Sequence, residues 1–464
     1  MAKGYLPYNV DQRLLLPPDM RAWLPEGHVA LFVGDVVDSL DLSAVRAVDD
    51  AKDERGRAGY HPAMMVKLLV YGYCIGKTSS RKIERATYDE VPFRVLAGDQ
   101  HPDHDTIAAF RRRHLKALGG LFMQVLRLCQ HAGLCKLGHI AIDGTKMAAN
   151  ASKHKAMSYG RMAEAEKKLQ EEIEHLLAEA ERIDTDEQAQ LGKGKRGDEL
   201  PAELARRESR LRKIREATAA LEAEAKAKAE MQAAEAIAKL EERARKEAES
   251  GKKTGGKPLV VPDPDDAVPD PKAQRNFTDP ESRIMPDGAN KGSFLQGYNA
   301  QIAVDAETQI IVAVDVTQQT QDKRQLIPML AKVIENVGRL ADATSADAGY
   351  FSERAIDAPQ LAQTNLLVPP DRQKHGRQEV QNEPLAENAS CSERMRHKLR
   401  SEQGRALYKR RKAIVEPVFG QIKAVRGLRR FVLRGLANVR EEFNLIAMTH
   451  NLLKLFRFAP AALA

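Results

Sequence analysis

The stretch Leu137-Gly138-His139-Ile140-Ala141-Ile142-Asp143-Gly144-Thr145 decides how the chain is read. Ile140, Ala141 and Ile142 form a short apolar run that ends on a carboxylate and then a glycine. A buried strand that delivers an acid to the edge of a sheet has this form. Two other segments look like partners for it: Thr344-Ser345-Ala346-Asp347-Ala348-Gly349-Tyr350, and the longer Tyr408 to Lys423, which contains Val415-Glu416-Pro417-Val418-Phe419-Gly420. Taken singly, an Asp before a Gly at a strand end reads as a turn residue. The three segments together, in this order and on a basic chain, point to a shared carboxylate site.

Length and charge bound the rest. At 464 residues with a formal charge of +8, the chain has room for two or three domains, and it favours a polyanionic partner. Cys74, Cys129, Cys135 and Cys391 are scattered, without the paired spacing of a zinc site, and read as reduced core residues. No apolar run of about eighteen residues and no signal-peptide pattern occurs, so a soluble, cytoplasmic protein without membrane contact is expected.

From the N-terminus, residues 1–27 read as an extended Pro- and Leu-rich arm, and His28 to Leu134 read as helical. Pro62 introduces an apolar helix. A Ser79 cap precedes a short basic helix, and Asp105 or Thr106 caps another that carries Arg111, Arg112 and Arg113. Short helices with small turns resemble a helix-turn-helix DNA reader. Three consecutive arginines span most of a helical turn, so they suit phosphate positioning better than base readout. Residues 157–250 are rich in Ala, Glu, Lys, Arg and Leu. Met162, Leu169, Ile173 and Leu176, then Leu204, Leu211, Ile214 and Leu221, recur at three-, four- and seven-residue steps, with Glu166 filling one gap, on either side of a polar turn near Gly192–Gly197. That predicts an antiparallel helical, coiled-coil hairpin inserted into another domain. Residues 251–273 read as a flexible linker.

Sheet-like sequence follows: strands at 297–305 and 309–316, an amphipathic helix from Gln325 to Val337, strands at 341–347 and 364–368, a polar segment to about residue 395, and a basic helical end. The predicted fold is α/β. A mixed five-stranded sheet with flanking helices spans 135–156 and 274–464, an all-helical DNA-binding domain covers 1–134, and the hairpin interrupts the sheet domain. Asp143 and Asp347 on neighbouring strands, joined by Glu416 from a helix, would suit hard, oxygen-liking Mg²⁺, with Mn²⁺ equally suited. Such ions promote in-line phosphoryl transfer. Lys423, seven residues after Glu416, falls on the same helical face if the helix is continuous, although Pro417 predicts a helix start or kink there.

At this point the chain resembles the bacterial insertion-sequence transposases of the DDE class with an RNase H-like core, in the IS-four/five-like clan and nearest the IS-eleven-eighty-two group. His61-Pro62 through Tyr88 and His104 through His114 resemble an InsH-type N-terminal domain. Ala141 to Lys146 resembles the first catalytic motif, and Ala346 to Tyr350 the second. The third motif is Tyr, two residues, Arg, three residues, Glu, six residues, Lys. Tyr408, Arg411, Glu416 and Lys423 fit it with one extra residue between Arg411 and Glu416, which leaves open whether Arg411 or Lys412 plays the Arg part. The resemblance implies that Asp143, Asp347 and Glu416 are metal-binding catalytic acids, that Lys423 contacts DNA, and that Tyr408 and Arg411 support them. It also implies a double-stranded DNA partner, the terminal inverted repeats and target DNA, and a homodimer or larger assembly. Arg429 and Arg430 are candidates for phosphate contact. An RNase H-like nuclease that cuts without joining, and a transposase-derived DNA-binding protein without catalysis, remain as alternatives.

Overall fold

The computed structural model describes residues 19–50, 59–191, 202–250, 259–288, 290, 292–371, 385–386 and 388–462. The arm at 1–18, the turn at 192–201, the first part of the linker and most of the polar segment before residue 390 lie outside them. The remainder falls into two compact units, Met1–Ala148 with Tyr298–Ala464, and Ala149–Gly297.

The first unit opens with seven helices: α1 (Val29–Ser39), α2 (Ser43–Asp50), α3 (Pro62–Cys74), α4 (Ser80–Asp89), α5 (Val91–Ala97), α6 (His104–Arg113) and α7 (Leu115–His131). Pro62 occupies the first turn of α3, where its missing N–H has no helical partner to lose. Almost every residue from Met64 to Cys74 is buried, so α3 is a core helix rather than a surface one. Ser79 sits at the N-cap of α4 without a capping bond from its side chain. The cap of α6 is Asp103, two residues ahead of the expected one. Its carboxylate accepts from Thr106 N at 2.8 Å, which starts the helix earlier.

After α7 comes β1 (His139–Ala148), and the chain then enters the second unit. Here β2 (Ala156–Ser158) leads into α8 (Tyr159–Leu191), and α9 (Ala202–Ser250) returns to β3 (Gln274–Asn276) and β4 (Arg283–Pro286). Met162, Leu169, Ile173, Leu211, Ile214, Ala217 and Leu221 bury one another between the two long helices. The pairs Glu166–Arg215 and Glu172–Arg207 run in opposite chain order, so the helices are antiparallel, as their spacing predicts. β2 and β3 close the base of this hairpin as an antiparallel pair. β4 pairs antiparallel with the first residues of β5 (Phe294–Asp305). These three short strands leave no alternating pattern long enough to predict.

β5 carries the chain back into the first unit, followed by β6 (Ile311–Thr317), α10 (Leu326–Val337), β7 (Ala343–Ser345), α11 (Glu353–Ile356), β8 (Asn365–Leu367), α12 (Cys391–Arg400), α13 (Glu402–Gly420) and α14 (Leu436–Ala462). Its five strands lie in the order β6-β5-β1-β7-β8, with β6 antiparallel to β5, and β7 and β8 parallel to β1 and to each other. This mixed sheet with flanking helices is the RNase H-like arrangement the sequence predicts. α14 packs on β6, α3 and α7, so the N-terminal helices and the sheet share one compact unit rather than dividing at residue 134. The Asn451 side chain on α14 both donates to Ile311 O and accepts from Ile311 N, each at 2.8 Å, which blocks the open edge of β6. Among the described residues, no helix is long and apolar enough to cross a membrane. Three of the four free cysteines are buried.

α14 also supplies two buried titratable groups. Burial raises the carboxyl of Glu442, while bonds from Val432 N and Leu433 N and the nearby Arg111 favour its charged form. Burial pushes the His450 imidazole down to about 3, and its neutral ring lies 2.9 Å from Gln309 O. The unfolded chain takes up this proton below about 6.5 and the folded chain does not, so stability falls as pH drops from about 6.5 toward about 3. His450→Gln keeps a donor for Gln309 O, and is expected to flatten that acid limb in urea denaturation series.

Candidate active site

Parallel pairing of β1 with β7 sets the site. His139 lies opposite Ala343 and Ala141 opposite Ser345, where β7 ends; Asp143, two residues further along β1, feels the charge of Asp347, two residues past β7. Asp347, two residues past the strand, caps a short turn over Ala348–Tyr350, where it accepts from Gly349 N at 2.8 Å. Asp143 accepts from Gly144 N at 2.8 Å on one oxygen, and from Arg411 Nη1 at 3.2 Å on the other. Burial pushes the Asp143 carboxyl up to about 6; Arg411 opposes this, and the negative charges of Asp347 and Asp322 add to it.

Of the two residues that the spacing of the third motif leaves open, Arg411 is the one that reaches Asp143. Its side chain is 11% exposed and reaches Asp143 from α13, and the guanidinium carbon lies 6.0 Å from the centre of the Tyr408 ring. Lys412, the alternative, is exposed. Lys423 lies in a π-helical turn, Gln421–Val425, that follows α13 directly. The wider turn seats its ammonium on β1, where it donates to Thr145 Oγ1 at 2.6 Å and Lys146 O at 2.7 Å. Arg429 and Arg430 are exposed, on a segment that bonds along the end of β1 through Ala148 N to Arg429 O and Phe431 N to Ala148 O.

Glu416 is placed differently from the two aspartates. It is exposed on α13, and among the described residues it makes no hydrogen bond or ion pair. Arg411 faces Asp143, and five residues further on Glu416 lies well round the helix, flanking the buried Val415. The helix neither starts nor stops at Pro417 but runs through it.

The three arginines of α6 separate as their spacing requires. Arg112 and Arg113 are exposed. Arg111 is 3% exposed and donates to Thr78 O, so its charge serves the interior near Glu442 rather than a surface.

The structure adds residues that the sequence did not single out. Asp322 lies in a polar stretch after β6, where it reads as an ordinary turn residue. One of its oxygens accepts from Asn299 Nδ2 at 2.6 Å and Gln301 Nε2 at 2.7 Å, and Lys146 Nζ lies 3.7 Å away. Tyr350 Oη donates to Gln301 Oε1, which ties this network to the turn after Asp347. Asn299 and Gln301 share one face of β5 that the alternation reads as the polar side, yet both faces of the strand are buried, so no pattern in the sequence marks them.

Gly144 allows the network to sit under β1: a Cβ there would meet Gln301 Nε2, and would come within 2.9 Å of Asp322 Oδ1 and 3.0 Å of Asn299 Oδ1. The donor set is oxygen-only, and it suits a hard divalent cation held by two carboxylates, with the remaining positions left to phosphate and water. Among the described residues, no group of three ligating side chains stands close enough to hold an ion by itself.

Two outcomes test this geometry in metal-free protein. Native Asp143 keeps a proton that the unfolded chain loses between about 3.8 and about 6, so the buried carboxylate weakens the fold as pH rises through that window. Asp143→Asn is therefore expected to gain stability relative to wild type from about pH 4 to pH 6, read from urea midpoints. Gly144→Ala overpacks the network and is expected to cost about 1–3 kcal/mol in the same measurement.

Two family models match the chain: Transposase domain (DUF772) over residues 18–113, and Transposase DDE domain over residues 261–452. The second match takes in Asp322, Asp347, Glu416 and Lys423 and begins after Asp143. No curated protein and no solved structure gives a match. With two transposase domains in the order the motifs require, around an RNase H-like sheet, the chain belongs to the IS-four/five-like DDE transposases, consistent with the IS-eleven-eighty-two group.

Proposed function

We propose that Asp143, Asp347 and Glu416 are the catalytic acids of a transposase that binds the inverted-repeat ends of its element, cuts DNA strands there and joins the freed 3′-ends to target DNA. The observation that supports this reading is the closeness of Asp143 on β1 to Asp347 just past β7, close enough for their charges to interact, with Arg411 on the first of them. A Mg²⁺ or Mn²⁺ ion at these carboxylates would activate the attacking oxygen and stabilise the leaving one during phosphoryl transfer.

The chain's own residues have separable parts in this. Arg411 offsets part of the rise that burial and two neighbouring acids impose on the Asp143 carboxyl. The planar fork of its guanidinium would also suit a phosphate oxygen of the DNA. Tyr408 packs against Arg411 and limits where it can go. Lys423, fixed on Thr145 and Lys146 O, places a positive charge two to three residues beyond Asp143 along β1. Exposed Arg429 and Arg430, with Arg112 and Arg113 on α6, supply sequence-independent phosphate contacts. Glu416, exposed on α13, is the third acid we assign to the site. Pairing two element ends calls for at least two copies of the chain, and the α8–α9 hairpin is the surface we assign to their association.

The test is a labelled duplex carrying an element end, incubated with Mg²⁺ or with chelator. Metal-dependent cutting at the end is expected from the wild type. Asp143→Ala and Asp347→Ala should reduce it to background, and Arg411→Ala should slow it about 10- to 100-fold. A precleaved end should be joined to plasmid DNA. Cutting without joining would leave a nuclease, and binding without cutting would leave a DNA-binding protein.

A further inference from the structure

Gln309 turns the chain from β5 into β6 with φ of +61°, a left-handed conformation that glycine or asparagine adopts more readily. All of its polar groups are engaged. Its N–H donates to Asp305 O at 3.1 Å, and its carbonyl lies 2.9 Å from His450 Nε2. Its side-chain oxygen accepts from Lys454 Nζ at 2.7 Å, and its side-chain nitrogen donates to Ala413 O at 3.2 Å. Ala413 lies four residues before Pro417 on α13. In an unbroken helix its carbonyl would accept the N–H of the residue at that position, and proline has none. The Gln309 amide provides the missing donor from outside the helix.

We propose that Gln309 is a positioning residue for Glu416. Its amide replaces the N–H that Pro417 lacks, and so fixes the turn of α13 that carries the acid; the inference rests on the reading of Glu416 as the third catalytic acid. The turn from Ala413 to Pro417 encloses Glu416, and the chain passes from there into the π-helical turn that seats Lys423 on β1. Without an external donor, a proline inside the helix leaves one carbonyl unpaired and frees the segment to bend. The bend would swing Glu416, which has no other bond to hold it among the described residues. A strained backbone at position 309 is retained because only a longer side chain than glycine or asparagine reaches Ala413 O while its backbone stays bonded to His450.

Three substitutions test the assignment. Gln309→Gly relieves the turn and removes the amide. Gln309→Glu keeps an acceptor for Lys454 and removes the donor. Pro417→Ala returns the N–H to the helix. Gln309→Gly and Gln309→Glu are each expected to slow metal-dependent cleavage of element-end DNA about tenfold, to raise the Mg²⁺ concentration needed for half-maximal rate, and to speed amide exchange across the last turns of α13. On a Pro417→Ala background, neither substitution should slow cleavage further. A Gln309→Gly protein that cleaves as wild type, or Gln309 and Pro417 effects that simply multiply, would overturn the proposal. Glu416→Gln separates the two readings. If that variant cleaves normally, the catalytic reading of the acid fails. If exchange in α13 is unchanged by Gln309→Gly, the bond itself does not hold the helix.

Discussion

Two carboxylates carried on adjacent parallel strands impose the constraint on which the rest of the active-site region depends. Like charges brought together in a partly buried setting repel, which the fold must offset or the group must escape by taking a proton. Both responses are present. Arg411 contributes an opposite charge from α13, and the Asp143 carboxyl still rises to about 6. Asp322, a third negative charge, is tied down by amides from Asn299 and Gln301 and faces Lys146, so it is held by neutral donors and one cation. Gly144 is required at this point because the amides and Asp322 occupy the space of its side chain. A divalent cation would relieve what Arg411 and Lys146 only partly offset, and that is the electrostatic character expected of a site that waits for a metal and a phosphate.

The distant elements serve this cluster by fixing α13 and β1. α14 presses on β6 and on the N-terminal helices, and through Gln309 it reaches α13 where Pro417 weakens that helix. Buried Glu442 accepts from Val432 N, Leu433 N and Tyr73, which ties the segment after Lys423 to α3. Arg111 belongs to this interior. A substitution there would disturb the site through packing, whereas one at Arg112 or Arg113 would act at the surface.

Much of this was legible before any coordinates. β1, β5, β6, α10, β7 and β8 announce themselves as apolar or alternating runs with clear stops; Asp347 falls just past the end of β7, whereas β1 runs on through Asp143 to Ala148 rather than stopping at the acid. The helical hairpin follows from spacing alone, because its buried residues recur on one face of each helix. Features that depend on which residue meets which across the fold were not legible. Three consecutive arginines look alike until α6 acquires a buried side, and only then does Arg111 differ from its neighbours. Arg411 and Lys412 fit a motif equally until α13 is rotated onto β1. Pro417 reads locally as a break in the helix, and the donor that lets α13 continue is more than a hundred residues away, at Gln309. Nothing local marks Asp322, because its partners, Asn299 and Gln301, come from β5.

The central claim is that the meeting of Asp143 and Asp347 is a cation site. Its most direct test is a crystal of the protein with Mn²⁺ and element-end DNA, measured at the manganese absorption edge. The account predicts an anomalous peak between the Asp143 and Asp347 carboxylates, with Arg411 moved off Asp143. A peak elsewhere, or none while Arg411 keeps its place on Asp143, would contradict it.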